Sequence, residues 1–581
     1  SPEVRVRAVQ LLVRSDDLFW LAAGLQTLHA MLEQGSVTEQ VAALQCITDL
    51  ANPRFIRRLI PYLRSPHAEV REAAVRAIER LLPPEGGDAA QLEEVLGAAL
   101  SDLHPAVRRC AIRLMGARGN RLDFQHLLAA LSDPDTLVRH EAVGCLKAMK
   151  RSRILFLEGG PLFAFLGQWL PQPGNGRAQE FPAEEMIQGL GAFCLDHLRE
   201  VYEVISHLNA IEREGEVGDV FMLRKMLWDK VAERQRLLVE LLGVIGDEKT
   251  VDTVSVSLAR GESSFRALAV ETLTTTSSAG PARQVILLLE PLLVPGSTAE
   301  KVAEGRKQWN LGQPSLEPVL RLYMGSAEPW LRAVAADAAG RHLAHRWQQL
   351  AAPDREGWLA LFRALAYDED PYVREAALSL VGRLGGADGE GRALGQAARD
   401  DRDERVRLQA RRLLRALDGG ADLDGGAGKM LSTIEKALFL KGVKLFETMT
   451  ADQLRILSNI SREIGVAGGE VLFEKGDPCD YLYVIVEGQI EIVNDPGSSH
   501  EEVLATLGPT ACFGEMALFG NQGRSAAARA AQDTSLLGIE KDPLLLLIQE
   551  HPTISIAIIE QLASIIRHQD QMRSSVARLE K

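Results

Sequence analysis

Up to about residue 417 the apolar positions recur at helical spacing, and a short signature recurs with them. A polar turn, often holding Pro, is followed by Val-Arg-x-x-Ala at the start of an amphipathic stretch. The signature stands at Val4-Arg5…Ala8, Val70-Arg71…Ala74, Val107-Arg108…Ala111 and Val138-Arg139…Ala142, and again at Phe265-Arg266…Ala269, Leu331-Arg332…Ala335, Val373-Arg374…Ala377 and Val406-Arg407…Ala410. Adjacent copies lie 37 (70 to 107), 31 (107 to 138), 42 (331 to 373) and 33 (373 to 406) residues apart. That period, two helices long, predicts an α-solenoid. Val and Ala, four apart, share one helix face, and the small Ala lets the next repeat pack closely. Ser65-Pro66, Ser132-Asp133-Pro134 and Asp370-Pro371 offer a cap oxygen and a first-turn proline. The signature Arg is expected to pair with an acidic turn residue of an adjacent repeat, such as Asp133, Asp135 or Asp370.

The repeat lapses between about 151 and 230. Pro161, Pro171, Pro173, Gly174 and Gly176 interrupt it, and a long helical pattern then runs from Met186 to Leu208. Two readings stay open: an odd repeat or bundle bridging two solenoid halves, or a docking surface for a membrane partner through Phe163, Phe165, Trp169 and Leu170. Asp418 to Gly428 is glycine-rich, has no apolar face and reads as a linker. The expected organisation is therefore repeats over 1–150, an atypical helical insert over 151–230, repeats over 231–417, a linker over 418–429 and a separate domain over 430–581.

In that last domain Leu431 to Leu440 suits a helix, and Thr450-Ala451-Asp452-Gln453 forms a capping box ahead of Leu454 and Leu457. After Ser461 the period becomes two. Strands are predicted at Val471–Phe473, Tyr481–Val486, Gln489–Val493, Val503-Leu504 and Leu536–Ile539, with turns at Gly476-Asp477, Glu487-Gly488 and Asn494 to Gly497. Helices follow at Leu544–Gln549 and from Thr553. The fold class is mostly α: a solenoid followed by an α+β domain with an antiparallel β-barrel.

Composition narrows the function. The formal net charge of −14 argues against a sequence-independent hold on nucleic acid. The cysteines Cys46, Cys110, Cys145, Cys194, Cys479 and Cys512 form no C-x-x-C pair and read as small buried side chains in a reducing compartment. His342 and His345 are three apart with no third ligand near them in sequence, so no metal is expected. No apolar run reaches the roughly 18 residues of a membrane span. The chain begins at Ser1 in the middle of a repeat, so a further upstream segment is expected.

The chemistry concentrates in Phe513-Gly514-Glu515-Met516-Ala517-Leu518 and Arg524-Ser525-Ala526-Ala527. A single Arg among small residues suits one phosphate, bound by a forked guanidinium and by backbone N–H groups that nothing bulky shields. A Glu after Gly has the length to accept from a sugar hydroxyl.

This run resembles the phosphate-binding cassette of cyclic nucleotide-binding domains. Phe473-Glu474-Lys475-Gly476-Asp477 and Tyr483-Val484-Ile485-Val486-Glu487-Gly488 resemble the same family's barrel turn and core strand. The helical repeats resemble HEAT or bacterial HEAT-like repeats. The resemblance implies that Arg524 binds the cyclic phosphate and Glu515 the ribose 2′-hydroxyl. Gly514, Met516 and Ala517 would line the sugar-phosphate, and Ser525 and Ala526 would add phosphate contacts. Gly523 stands where the family often has Pro, which implies a less preorganised loop.

The implied ligand is cyclic AMP, favoured over cyclic GMP, with no cofactor. No catalytic order of Ser, His and Asp, no P-loop and no kinase signature is present, so the chain is expected to be a sensor and not an enzyme. Its expected partners are the cyclic nucleotide, a protein held by the solenoid, and an upstream or partner membrane protein of transporter-like type; the expected location is cytoplasmic, with the cytoplasmic face of the membrane as the narrower reading. The competing expectation is a protein-interaction scaffold whose barrel has lost its ligand.

Overall fold

The computed structural model describes residues 7–550 apart from 10, 13–17, 51, 53–54, 82–95, 98, 119–120, 158–182, 217, 246–279, 386–388, 419–430, 479, 495, 498–500 and 515–522, and beyond 550 only Ile559. The signature copies at Val4 and Phe265, the stretch 161–176, the glycine-rich linker from Gly419 and, apart from Ile559, the segment from Thr553 lie outside the described residues. The chain divides into two compact units, Ser1–Glu200 with Arg234–Gly296, and Val201–Glu233 with Ser297–Lys581.

The signature does what its spacing requires. In all six fully described copies the Val or Leu and the Ala are at most 3% exposed. They open the helices Ala68–Leu81, Pro105–Arg118, Thr136–Leu157, Pro329–Ala344, Pro371–Arg383 and Glu404–Leu417. Where the repeat lapses, two longer helices stand instead, Ala183–Glu214 and Phe221–Ile245.

In four of the six described copies the signature Arg is a two-sided tie, while Arg139 and Arg407 reach the carbonyl behind them, of Asp133 and Asp401. In the first unit Arg71 donates to the Ser65 carbonyl behind it at 2.8 Å and forks onto Asp102 ahead of it at 2.5 and 2.8 Å. Arg108 likewise reaches the Asp102 carbonyl and forks onto Asp133, at 2.7 and 2.8 Å. In the second unit Arg332 takes the Ser326 carbonyl and Asp368, and Arg374 takes the Asp368 carbonyl and forks onto Asp401, both oxygens at 2.8 Å. Each of these four aspartates also accepts the backbone N–H two residues on, which shapes the turn it sits in. Repeat n thus sets the turn of repeat n+1.

Among the acidic residues named from sequence, Asp133 is such a partner. Asp135 and Asp370 are caps instead, accepting from Val138 N at 3.0 Å and Tyr372 N at 2.9 Å. Asp370-Pro371 caps as expected. The helix after Ser132-Asp133-Pro134 begins only at Thr136 and is capped by Asp135, because Asp133 is occupied by the fork to Arg108.

The second unit ends in a β domain led by two helices, Thr433–Lys441 and Ala451–Asn459. The Thr450/Gln453 capping box forms, and a second one, Ser432/Glu435, opens the preceding helix. Eight strands follow: β1 (Ser461–Val466), β2 (Val471–Phe473), β3 (Tyr481–Glu487), β4 (Ile490–Asn494), β5 (Glu502–Leu507), β6 (Cys512–Phe513), β7 (Ala527–Ala530) and β8 (Thr534–Glu540). They form two four-stranded antiparallel sheets, β1-β8-β3-β6 and β2-β7-β4-β5, closed in the manner of a jelly roll. The core holds Val466, Tyr483, Ile485, Ile490, Phe513 and Leu536.

Asp401 carries the pH dependence of the tie. Its hydrogen bond from Arg374 holds its carboxyl below the usual carboxylate range, against the opposing effect of burial. A depressed folded pKa contributes stability above the unfolded value of about 3.9, and loses it as pH falls through the folded value. Asp401→Asn is therefore expected to lower the melting temperature at pH 7, with the gap from wild type closing as pH is taken below about 4. Thermal melts across that range check it.

Candidate ligand site in the barrel

Sheet pairing brings the distant parts of the site together. Tyr483 of β3 lies opposite Phe513 of β6, so Gly514 emerges beside the start of β3. The turn between β2 and β3 is stitched to the start of β7. Gly476 N donates to the Arg524 carbonyl at 2.8 Å, and Arg524 N donates to the Asp477 carbonyl at 2.9 Å. Gly523 packs directly on this turn, and a Cβ there would stand 2.5 Å from the Gly476 carbonyl oxygen. A close backbone approach therefore accounts for the glycine that the sequence reading took as a looser substitute for proline.

The Arg524 side chain points inward and is 5% exposed. Its guanidinium lies 4.1 Å from the centroid of the Phe473 ring and 5.5 Å from that of Tyr483. Those rings belong to an aromatic stack with Phe513 and Tyr481, at centroid distances of 5.3 to 6.1 Å. Nη2 donates to the Tyr481 carbonyl at 2.8 Å, and Nη1 makes a long contact with the Gly514 carbonyl at 3.4 Å. Nε is buried and has no hydrogen-bond partner among the described residues. Among the described residues no carboxylate pairs with this charge. Cation–π contact and two carbonyls stabilise it only in part, since burial of an ion unmatched by a counter-ion costs several kcal/mol.

Of the residues named from sequence, Gly514 and Arg524 meet. Ala526 is buried beside Arg524, and Ser525 is exposed next to it with no hydrogen-bond partner among the described residues. Glu515, Met516 and Ala517 lie outside the described residues. The sequence reading missed the aromatic bed and the Tyr481 carbonyl. Their signal was present as aromatics at 473, 481 and 483, which alternation placed on strands, and at 513, which opened the cassette, without showing that they converge.

Residues 464–551 match the family model described as the cyclic nucleotide-binding domain, and residues 56–147 match that of HEAT repeats. The chain joins HEAT repeats to a C-terminal cyclic nucleotide-binding domain.

The Cyclic AMP receptor protein of Thermus thermophilus is 32% identical over 132 residues, which is 22% of this chain and 61% of that protein. A CRP-like cAMP-activated global transcriptional regulator of Mycobacterium tuberculosis is 25% identical over 123 residues, 21% of this chain and 55% of that protein. This chain thus spans less than two thirds of the length of these curated relatives. The N-terminal domain of a transcriptional regulator from Streptomyces coelicolor A3(2) is 29% identical, with 23% of this chain and 95% of that one covered and a TM-score of 0.21. Outside the nucleotide-binding domain, no helix among the described residues is long and apolar enough to cross a membrane, and no group of three or more His, Cys, Asp or Glu there could hold a metal.

Gly514 links the domain's stability to its site. Its φ is +87°, and a Cβ on it would overlap the Arg524 guanidinium. Gly514→Ala is expected to destabilise the cyclic nucleotide-binding domain by about 1–3 kcal/mol through backbone strain and displacement of Arg524. Urea unfolding followed by the exchange of β3 and β8 amides measures it.

Proposed function

We propose that the barrel binds a cyclic nucleoside monophosphate, cyclic AMP in preference to cyclic GMP, and that the chain is a non-enzymatic sensor coupling this ligand to its helical repeats. The observation that carries the reading is the buried Arg524, which among the described residues has no carboxylate partner and no acceptor for its Nε, set beside Gly514 with its positive φ. A cyclic phosphate has one negative charge and two free oxygens. It suits a guanidinium that still has donors to give and, among the described residues, no acid to compete. Further support comes from Ser525 and Ala526, whose small side chains leave the backbone next to Arg524 open to an anion.

In this reading Glu515 accepts from the ribose 2′-hydroxyl, and Met516 and Ala517 close the loop over the sugar. The repeats are the output side, acting on an attached or partner domain.

Calorimetry of the full chain against cyclic AMP and cyclic GMP tests this. Arg524→Ala is expected to cost about 2–5 kcal/mol, roughly thirtyfold to several thousandfold in Kd, because it removes the phosphate's counter-charge. Glu515→Ala is expected to cost about 1–3 kcal/mol, the loss of one acceptor to a hydroxyl. Unaltered affinity in Arg524→Ala would overturn the phosphate assignment.

A further inference from the structure

The residue just before the signature Val or Leu differs between the two ends of the array. In the first unit it is Glu69, Ala106 and Leu137; in the second it is Trp330, Tyr372 and Arg405. Within the second unit these last three form a row. Trp330 and Tyr372 meet edge to face at 5.7 Å, and the Arg405 guanidinium lies 4.2 Å from the Tyr372 ring centroid.

The barrel's leading helix Ala451–Asn459 lies against that row. Arg455 stands 5.7 Å from the Tyr372 ring and 6.0 Å from the Trp330 ring. One helical turn on, Asn459 donates from Nδ2 to the Tyr372 hydroxyl at 2.5 Å and accepts from Arg405 Nη1 at 3.2 Å. Arg455 and Asn459 are four apart, so one helix face makes all of these contacts.

The two helix N-termini are fixed independently. The capping boxes satisfy the N-cap and N3 amides of both leading helices and leave the N1 amides free. Both N1 amides are taken by carboxylates from the helical part of the unit. Thr433 N donates to Glu375 at 3.0 Å, and Ala451 N donates to Asp229 at 2.9 Å. Glu375 is 6% exposed and sits on the same helix as Tyr372. Arg383, at the end of that helix, donates to Glu435 of the first leading helix at 3.0 Å and also to Asp337. Carboxylates at helix N-termini are favoured by the helix dipole as well as by the hydrogen bond. A rotation or a one-turn slide of either leading helix would break several of these contacts together.

We propose that the Trp330–Tyr372–Arg405 row, with Glu375 and Asp229, is a dock for the two leading helices of the barrel, and the surface through which occupancy of the barrel pocket reaches the repeats. The dock welds the last repeats and the barrel into one cooperative body. Its role in transmission rests on the ligand binding proposed above. The first unit, with Glu69, Ala106 and Leu137 in the row position, has no equivalent surface among these copies.

The test uses the full chain, wild type and the Tyr372→Ala/Arg405→Ala pair, with Asn459→Ala as a milder variant that disturbs no repeat helix. Hydrogen exchange is followed through a urea series without ligand and then with saturating cyclic AMP. Wild type is expected to lose protection of β3, β8 and the helices Pro371–Arg383 and Glu404–Leu417 in one step. The double variant should lose it in two, with Asn459→Ala between them. Unfolding in one unchanged step in the double variant would overturn the dock.

With cyclic AMP, wild type is expected to gain protection at the pocket and to change exchange in both repeat helices. The variants should keep the first response and lose the second. A repeat response that survives in the double variant, or a pocket response in wild type with none in the repeats, overturns the transmission. No response at the pocket in wild type would instead defeat the ligand assignment, and the dock would then stand or fall on the ligand-free unfolding alone.

Discussion

A full positive charge sits in the aromatic interior of a small β domain. Arg524 is held there by ring faces and carbonyl oxygens, with a donor to spare and no acid beside it among the described residues. That state is tolerable only because the site is built around it. Gly514 gives up a side chain where a Cβ would collide, Gly523 lets the chain come close enough to the Gly476-Asp477 turn to fix the arginine's backbone, and the strand pairing stacks four aromatics beneath it. A site that carries this much unspent electrostatic free energy is suited to an anion, and a monoanionic diester fits better than a group needing several counter-charges.

The helical part uses the same side chain for the opposite end. Four of the six described signature arginines, Arg71, Arg108, Arg332 and Arg374, are matched by a carboxylate one repeat ahead and by a carbonyl behind. Because each aspartate also shapes its own turn, the ties hold the spacing between neighbouring repeats within each unit. Stiffness of this kind passes displacement along a nearest-neighbour chain. The dock then attaches the barrel at helix starts, where the ties are anchored, so a movement of the leading helices acts on the stiffest part of the last repeats.

The sequence made the repeat legible because the signature packs locally. Val and Ala four apart bury one face in every described copy, whatever surrounds them. The arginine's partner was harder to read. Of the four partners only Asp133 was singled out; Asp102, Asp368 and Asp401 lie 27 to 36 residues from their arginines, in turns whose shape depends on the pairing itself.

In the barrel most alternating strands were visible, but β7 was not, and only its first residue, Ala527, was named, as the end of the cassette. Ala527, Ala528 and Ala530 carry no strand preference, and they are held as a strand by β2 and β4 on either side. Two-residue β6 is likewise defined by its partner and not by its own residues. Arg524 and Gly514 were legible as chemistry. The bed of Phe473, Tyr481 and Tyr483 under the guanidinium was not, because convergence of three strands is a property of topology.

The most direct measurement is side-chain NMR of the Arg524 Nε–H group in the full chain, assigned by its disappearance in Arg524→Lys, as cyclic AMP is added. The account predicts a resonance that shifts downfield and exchanges more slowly with water as the site saturates, because the phosphate supplies the acceptor this donor lacks. A resonance that stays in place at saturating cyclic AMP would contradict it.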